Sequence, residues 1–354
     1  MTNSFLQRLG ITIPILQAPM AGSTTPELAA AVANAGALGG HGCAALDVAT
    51  TRQHIHTIRT LTAKPFNLNL FCHQSLPLSN EQEDFWISLF NPYFDAFDSA
   101  APARLSSGYV SLHDNPAMVE MLLEEKPPVL SFHFGLPKTE VIAAFKAAGI
   151  ILLGCATRVE EALAIEAAGL DAIIVQGQEA GGHQGVFNAQ EQDFLPLESL
   201  LAQISAVTRL PLIAAGGIMT GAHIAKAMQA GASAAQLGTA FLLCPETKTS
   251  TAHRHALQQG NGNDTALIRV ISGRPARGFV NRLHRDLDTH RNQMPPYPYP
   301  YCITKALNKA AAAEQNTDFA VHWAGTGVAQ IRDMGAAALV ATLEQERLAA
   351  ESSN

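Results

Sequence analysis

Short apolar segments recur along the chain, and a longer amphipathic stretch follows most of them. Eight such segments lie at residues 13–19, 37–43, 66–71, 129–135, 151–156, 172–178, 211–217 and 234–242. The stretches between them, such as TPELAAAVANAG and TRVEEALAIEAAG, begin with a capping residue and end with glycine, as helices commonly do. This alternation is typical of parallel βα units, so we predict an α/β protein.

The number of repeats favours one architecture within this class. Eight units of strand and helix over about 240 residues match a TIM (β/α)8 barrel, in which functional groups lie at the C-terminal ends of the strands. A doubly wound open sheet is the alternative, but its phosphate turn should follow the first strand, and QAPMAGSTTPE lacks the GxGxxG pattern. We therefore predict a TIM barrel.

Two parts of the chain do not follow the repeat. Residues 73–115 insert the aromatic stretch FWISLFNPYFDAF, and the tail from 245 to 354 is mostly helical in pattern apart from the proline-rich NQMPPYPYPY. Segments inserted at the functional end of a barrel often cover the site. We predict a barrel formed by 1–72 and 116–244, and a covering lid domain formed by 73–115 and 245–354.

Charge and cysteine content narrow the class of partner. The 354 residues have a formal net charge of −7 with no basic block, which argues against nucleic acid and against an anionic membrane surface. We find no signal-peptide pattern and no apolar run near the roughly 18 residues of a membrane span, so we expect a cytoplasmic protein with a small-molecule partner. Five scattered cysteines without a CxxC pair predict neither a disulfide framework nor a zinc site.

Glycine turns follow the seventh and eighth predicted strands. These turns, AAGGI at 214–218 and QLGT at 236–239, occupy the two loops that commonly bind phosphate in TIM barrels through free backbone N–H groups. Two ordinary helix-start turns are the alternative. We favour a phosphate site, with these residues as candidates: Gly216, Gly217, Gln236, Leu237, Gly238 and Thr239.

Other strand ends could contact a flat ring beside that phosphate. In QAPMAG, Ala18 and Met20 follow the first strand and could form the floor of the site, although a core methionine is the alternative. Asn69 and Gln176 each offer an amide donor and acceptor, which suits a heterocycle such as an isoalloxazine. Equally, strand-end amides often tie down loops.

His183 lies in EAGGHQG, between Gly181, Gly182 and Gly185. Glycines let backbone approach a ligand closely, and an imidazole can exchange a proton near neutral pH or donate a hydrogen bond to an anion. A histidine that merely fastens a loop is the alternative, but the glycines favour a catalytic role for His183. His133 in SFHFG either contributes to the same site or is a core residue.

Other histidines and several tyrosines receive separate predictions. His54 with His56, and His253 with His255, are two residues apart and would fall on different faces of a helix, so no metal site is expected. A polar pocket for an anion could form from lid residues, with surface packing as the alternative for at least one tyrosine of YPYPY: Tyr109, Tyr297, Tyr299, Tyr301 and Lys305.

The motifs QAPMAG, PFNLNLFCH, LSFHFG, QGQEAGGHQG, AAGGI, QLGTAFLLCPE and SGRPARG resemble those of the class I nitronate monooxygenases, over nearly the whole chain. The resemblance implies an FMN-binding TIM barrel that oxidises alkyl nitronates, propionate 3-nitronate especially, with O2 and without reduced nicotinamide. The products would be a carbonyl compound with nitrite or nitrate. We expect a monomer or homodimer.

The same resemblance implies roles for individual residues. His183 would be the active-site histidine, and FMN would contact Asn69, Gln176, Gly181, Gly217, Gln236, Leu237, Gly238 and Thr239. The substrate pocket would contain His133, Tyr109, Tyr297, Tyr301 and Lys305. One departure is His41 in GGHG, where a smaller or aliphatic residue is expected.

Three other functions remain as alternatives. An NAD(P)H-dependent quinone or enoyl reductase could use the same flavin barrel, and a flavin-free barrel could hold a sugar phosphate for isomerisation. A flavin-binding protein without catalysis is disfavoured, because polar residues such as His183 and His133 are predicted at the mouth.

Overall fold

The apolar segments form the strands of a closed parallel barrel in the computed structural model, which describes residues 4–352. Its strands are β1 (Ile15–Gln17), β2 (Gly39–Gly42), β3 (Phe66–Phe71), β4 (Val129–His133), β5 (Ile151–Ala156), β6 (Ala172–Gln176), β8 (Leu212–Ala215) and β9 (Ala234–Leu237). The order is β1-β9-β8-β6-β5-β4-β3-β2, and a parallel bridge between Leu16 and Leu38 joins the two ends. The predicted TIM barrel is confirmed.

Helices connect these strands and surround them. In chain order they are α1 (Ser4–Leu9), α2 (Pro26–Asn34), α3 (Val48–Leu61), α4 (Asn80–Asp95), α5 (Pro116–Glu125), α6 (Thr139–Ala147), α7 (Val159–Ala167), α8 (Leu197–Ser205), α9 (Gly221–Gln229), α10 (Thr251–Gln259), α11 (Arg282–Leu287), α12 (Pro300–Ala313) and α13 (Ala336–Ser352). None of the helices between residues 4 and 352 is long and apolar enough to cross a membrane.

The barrel has two hydrophobic layers because strand side chains alternate between faces. Outward residues such as Ile173 and Val175 pack against the helices, whereas inward residues such as Leu153 and Ile174 fill the interior. Helix α1 packs Phe5 against this inner layer. The apolar residues fill much of the barrel interior, and the polar side chains that line the cavity lie at the C-terminal ends of the strands.

The inserted segment and the tail form a second hydrophobic core. On α4, Trp86, Phe90 and Phe94 are almost completely buried, and they share a cluster with Ile303 and Leu307 of α12. This cluster is separate from the two barrel layers. The two segments that interrupt the βα repeat therefore pack on each other.

The tail departs from the helical pattern predicted for it. It contains two strands, β10 (Thr265–Ile268) and β11 (Ala276–Phe279), which form an antiparallel sheet with the two-residue strand β7 (Gly182–His183). Its last helix, α13, packs on α9 and α2, and Leu339 and Leu343 belong to the barrel core. Thus 245–354 does not only cover the mouth, because its end completes the helical ring.

His41 faces outward from β2 and does not reach the barrel mouth. Its Nε2 lies 2.8 Å from Nδ1 of His54 on α3, and its Nδ1 is buried without a hydrogen-bond partner in the described chain. Burial, with smaller effects of the neighbouring His54 and Lys248, lowers the pKa of His41 to about 3. The departure from the family pattern at His41 is therefore a feature of the packing between β2 and α3.

We predict that His41 makes the protein sensitive to mild acid. The unfolded chain protonates this imidazole near pH 6.5, whereas the folded chain stays neutral, so the free energy of unfolding falls as pH drops below 6.5. At pH 5 the loss amounts to about 2 kcal/mol. The free energy of unfolding, measured with urea between pH 7 and 4.5, should depend less steeply on pH in His41→Gln than in the unsubstituted protein. The same change at exposed His255 should leave the slope unaltered, and equal slopes in all three proteins would contradict the prediction.

Candidate active site

Polar side chains on the inner barrel face form the floor of a single cavity. Asn69, His133, Gln176 and Gln236 continue the inward-facing positions of β3, β4, β6 and β9, and all four lie at the mouth. Asn69 Nδ2 donates to Ser131 Oγ at 3.0 Å and lies 3.4 Å from His133 Nδ1. The cavity has a volume of about 570 Å³, within the range of cofactor and ligand sites.

The candidate residues from the sequence all border this cavity. They are Ala18, Met20, Asn69, Tyr109, His133, Gln176, Gly181, His183, Gly216, Gly217, Gln236, Leu237, Gly238, Thr239, Tyr297, Tyr301 and Lys305. The structure thus brings together residues from most of the chain length. Their individual roles in binding or catalysis stay predictions.

The two glycine turns present unpaired backbone amides at one end of the cavity. The N–H groups of Gly217 and Ile218 after β8, and of Gly238 and Thr239 after β9, donate to no acceptor within residues 4–352. The Thr239 hydroxyl is used differently, since it accepts from the backbone N–H of Gly325 at 2.9 Å. Four unpaired amides on neighbouring turns form a site suited to an anion such as a phosphate.

Gln176 fixes the loop that carries His183. Its Nε2 donates to the His183 carbonyl at 2.9 Å, and its Oε1 accepts from the Gly185 amide at 2.6 Å. The alternative in which a strand-end amide ties down a loop therefore applies to Gln176. His183 itself lies in strand β7, opposite Ala276 of β11, rather than in an irregular loop.

The glycines around His183 are needed for tight packing of the protein on itself. A Cβ at Gly181 would lie 2.5 Å from the Gly325 nitrogen, and one at Gly185 would lie 2.5 Å from Cys155 Sγ. Real Cβ atoms do not approach other atoms so closely. Gly181 and Gly185 therefore have a structural reason as well, and the expectation that these glycines make room for a ligand stays a prediction.

The imidazole of His183 projects among aromatic rings above the floor. Ring centroids of Phe134, Tyr301 and Trp323 lie 5.7, 5.9 and 5.5 Å away, and Nε2 lies 2.9 Å from Ser272 Oγ. Burial, with smaller effects of Arg274 and His133, lowers the pKa of His183 to about 3. This shift favours the neutral imidazole at neutral pH, and the proton exchange or hydrogen-bond donation expected of His183 stays a prediction.

Arg274 places a buried positive charge behind the aromatic wall. Its guanidinium lies 4.4 Å above the Phe134 ring and donates to the Val186 carbonyl at 2.7 Å. No carboxylate in the described chain lies within 4.0 Å of it, and burial lowers the pKa of Arg274 to about 10. The group stays protonated at neutral pH and contributes a positive charge near the cavity, with Glu161 as an attractive charge beyond ion-pair distance.

The lid forms a polar wall opposite the glycine turns. Lys305 Nζ donates to the Tyr109 hydroxyl at 2.7 Å and lies 4.9 Å from the Tyr301 ring centre. The Tyr297 hydroxyl is buried without a hydrogen-bond partner in residues 4–352, whereas Tyr299 packs into the second core. The packing alternative thus holds for one tyrosine of YPYPY, and an ammonium with phenol donors faces the cavity.

Sequence reasoning missed several residues at the cavity. His253, predicted to have no role, lines the wall, with its Nε2 3.0 Å from the Trp323 carbonyl and its ring parallel to His322. Lys248, Thr249, Asn308 and Trp323 also line it. No local motif marks these residues, because their position depends on how the tail folds over the barrel. His255 is exposed, as expected for residues on different helix faces.

Comparison with known proteins identifies the family. Residues 3–346 match the family model of nitronate monooxygenase. The chain is 46% identical over 348 residues to the nitronate monooxygenase of Pseudomonas aeruginosa, with 98% of this chain and 99% of that protein covered. It is 47% identical over 345 residues to that of Paraburkholderia phytofirmans, with 97% and 94% covered. The solved nitroalkane oxidase of Streptomyces ansochromogenes superimposes with a TM-score of 0.89 at 38% identity, covering 98% and 99% of the two chains.

The fold and cavity define a TIM-barrel enzyme with its site at the C-terminal ends of the strands. The chain belongs to the nitronate monooxygenase family, which places it among the oxidoreductases. The family predicted from the motifs is confirmed.

Proposed function

We propose that the protein oxidises alkyl nitronates with O2 as an FMN-dependent enzyme, producing a carbonyl compound with nitrite or nitrate. Propionate 3-nitronate is the substrate we expect. The observation that carries the proposal is one cavity lined both by unpaired backbone amides and by His183 with Lys305. The names of the relatives, nitronate monooxygenase and nitroalkane oxidase, agree with this chemistry.

The residues of the cavity fit FMN. The unpaired amides of Gly217, Ile218, Gly238 and Thr239 would bind its phosphate. Gln236 Oε1 is buried and accepts no hydrogen bond from residues 4–352, so it is available to an N–H donor of a heterocycle. When bound, the flavin supplies the electron transfer between nitronate and O2, which no amino-acid side chain can provide.

The lid wall fits an anionic substrate. A nitronate is negatively charged, and propionate 3-nitronate carries a carboxylate as well. Lys305 offers an ammonium and Tyr109 a hydroxyl within 2.7 Å of each other, and charge-assisted hydrogen bonds from such donors are stronger than neutral ones. Phe134, Tyr301 and Trp323 surround His183 and limit the access of water.

His183 is suited to accept a proton. A neutral imidazole can take the proton on the carbon next to a nitro group, and this converts a neutral nitroalkane into the nitronate at the site. A nitronate that arrives from solution needs no such step. His183 would therefore matter most when the substrate is a neutral nitroalkane.

The proposal predicts a yellow protein that consumes O2 with nitronates and without nicotinamide. We expect flavin absorption in the purified protein, release of FMN on denaturation, and oxygen uptake with propionate 3-nitronate at a rate that NADH does not increase. Anaerobic addition of NADH should leave the absorption unchanged. Rapid bleaching by NADH would favour a reductase instead, and a protein that stays colourless with added FMN would exclude the flavin site.

We predict that His183→Asn separates the two kinds of substrate. Loss of the proton acceptor should lower kcat/KM for nitroethane by about 100-fold or more, whereas ethyl nitronate should be affected much less. Flavin absorption should persist, because the amides at the glycine turns do not depend on the imidazole. The control is His255→Asn, at an exposed imidazole on α10. Equal losses on both substrates would contradict a proton-accepting role.

We predict that Lys305 recognises the carboxylate of propionate 3-nitronate. Replacing it in Lys305→Met should raise KM for this substrate by about tenfold, the effect of losing one charged hydrogen bond, and change KM for ethyl nitronate less. Lys309→Met removes an exposed lysine one turn further along α12, outside the cavity, and is the matched control. The same KM change for both nitronates would argue against carboxylate recognition.

A further inference from the structure

Ser272 lies directly behind His183, in the SGRP turn before β11. The residue is completely buried, and its Oγ has three neighbours within hydrogen-bond distance. These are His183 Nε2 at 2.9 Å, the Arg274 N–H at 3.2 Å and the Arg274 carbonyl oxygen at 3.2 Å. A hydroxyl has one proton and two lone pairs, so each of these contacts can be assigned.

The assignment follows from what each partner can do. The Arg274 N–H can only donate, so it takes one lone pair of Ser272 Oγ. The Arg274 carbonyl can only accept, so it takes the hydroxyl proton. The remaining lone pair then faces His183 Nε2, and in this assignment Nε2 carries the proton. This arrangement satisfies all four groups at once.

We propose that Ser272 is a positioning residue that keeps His183 in the Nε2–H tautomer and leaves the Nδ1 lone pair free. This inference rests on the proposed function for its catalytic meaning, although the tautomer itself does not. Nδ1 has no hydrogen-bond partner in residues 4–352, and His183 lines the cavity. His183 thus offers the substrate a proton acceptor, and a hydrogen bond donated to an anion must come from another residue.

The backbone around Ser272 holds this geometry. The N–H groups of Ser272 and Gly273 donate to the Arg269 carbonyl at 3.1 and 2.9 Å, which closes the turn. Gln184 N–H donates to the Pro275 carbonyl at 2.9 Å, next to the pairing of β7 with β11. His183 therefore lies in the antiparallel sheet, and Ser272 lies in the hydrogen-bonded turn that connects two strands of the same sheet.

Ionisable groups around His183 favour the neutral ring that this role requires. They come from three elements: His133 on β4, Arg274 in the turn, and Tyr297 with Tyr301 at the start of α12. The Arg274 charge opposes protonation, and burial raises the pKa of both tyrosines, so neither is an anion at neutral pH. Without a neighbouring anion, the imidazole has no partner that would stabilise its charged form.

The proposal is tested by measuring the tautomer of His183 directly. Long-range 1H–15N NMR of the purified holoprotein, labelled with 15N-histidine, shows which ring nitrogen carries the proton. The His183 signal is assigned by its loss in His183→Asn. We expect one neutral form with the proton on Nε2 between pH 5 and 8. In Ser272→Ala the bias disappears, so both tautomers should be present in comparable amounts, and kcat/KM for nitroethane should fall by about tenfold.

A matched control is Ser111→Ala, which also removes a fully buried hydroxyl that accepts a backbone N–H, at a residue that does not line the cavity. It should melt like Ser272→Ala and keep the wild-type tautomer and kcat/KM. Ser272→Cys, of similar volume and weaker as an acceptor, replaces the alanine variant should that variant not fold.

The outcomes separate the inference from the proposed function. A wild-type His183 protonated on Nδ1 would overturn the tautomer assignment whatever the enzyme does. A Ser272 variant with unchanged tautomer and unchanged kcat/KM would overturn the role of Ser272. A protein that oxidises no nitro compound would overturn the proposed function, and the tautomer measurement would still stand on its own.

Discussion

Two hydrogen bonds from the Gln176 side chain to the loop after β6 are the constraint on which the mouth of the barrel depends. One amide group binds the backbone of His183 and Gly185 at once, and so ties the loop after β6 to the end of its own strand. With the loop fixed, β7 can pair with β11, and this pairing carries the tail onto the barrel. Because the nitrogen and the oxygen of this buried amide are both hydrogen-bonded, the amide fixes the orientation of the loop as well as stabilising it.

The cavity is consequently shared by two hydrophobic units. The barrel supplies the floor and the glycine turns, while the insertion and the tail pack around Trp86 and supply the wall with Lys305. Neither unit alone places Arg274 or Trp323 beside His183. Helix α13 then returns to the barrel, so the covering segment is fixed at both ends rather than attached at one.

The barrel floor could be predicted because it follows from local patterns. Along each strand every second residue faces inward, and Asn69, Gln176 and Gln236 are inward-facing residues near the C-terminal ends of their strands. The turns after β8 and β9 could be recognised by their glycines. Ser272 and Arg274 could not be found this way, since they lie about 90 residues from His183 in sequence and reach it through antiparallel pairing. The need for glycine at position 185 could not be predicted either, because the side chain that a Cβ would meet there, Cys155, is distant in sequence.

In the proposed function, charge and proton transfer are divided between different residues at this site. A protonated imidazole cannot accept a proton. If His183 is to act as a base, the positive charge that attracts an anionic substrate must therefore come from another residue. Lys305 is exposed and its field is screened by water, whereas Arg274 is 4% exposed and pairs with no carboxylate in the described chain. The buried guanidinium therefore does two things: it opposes protonation of His183, and it makes the cavity more favourable for an anion. The cation favours the nitronate that deprotonation of a nitroalkane forms and keeps the imidazole neutral, but it also makes His183 a weaker base.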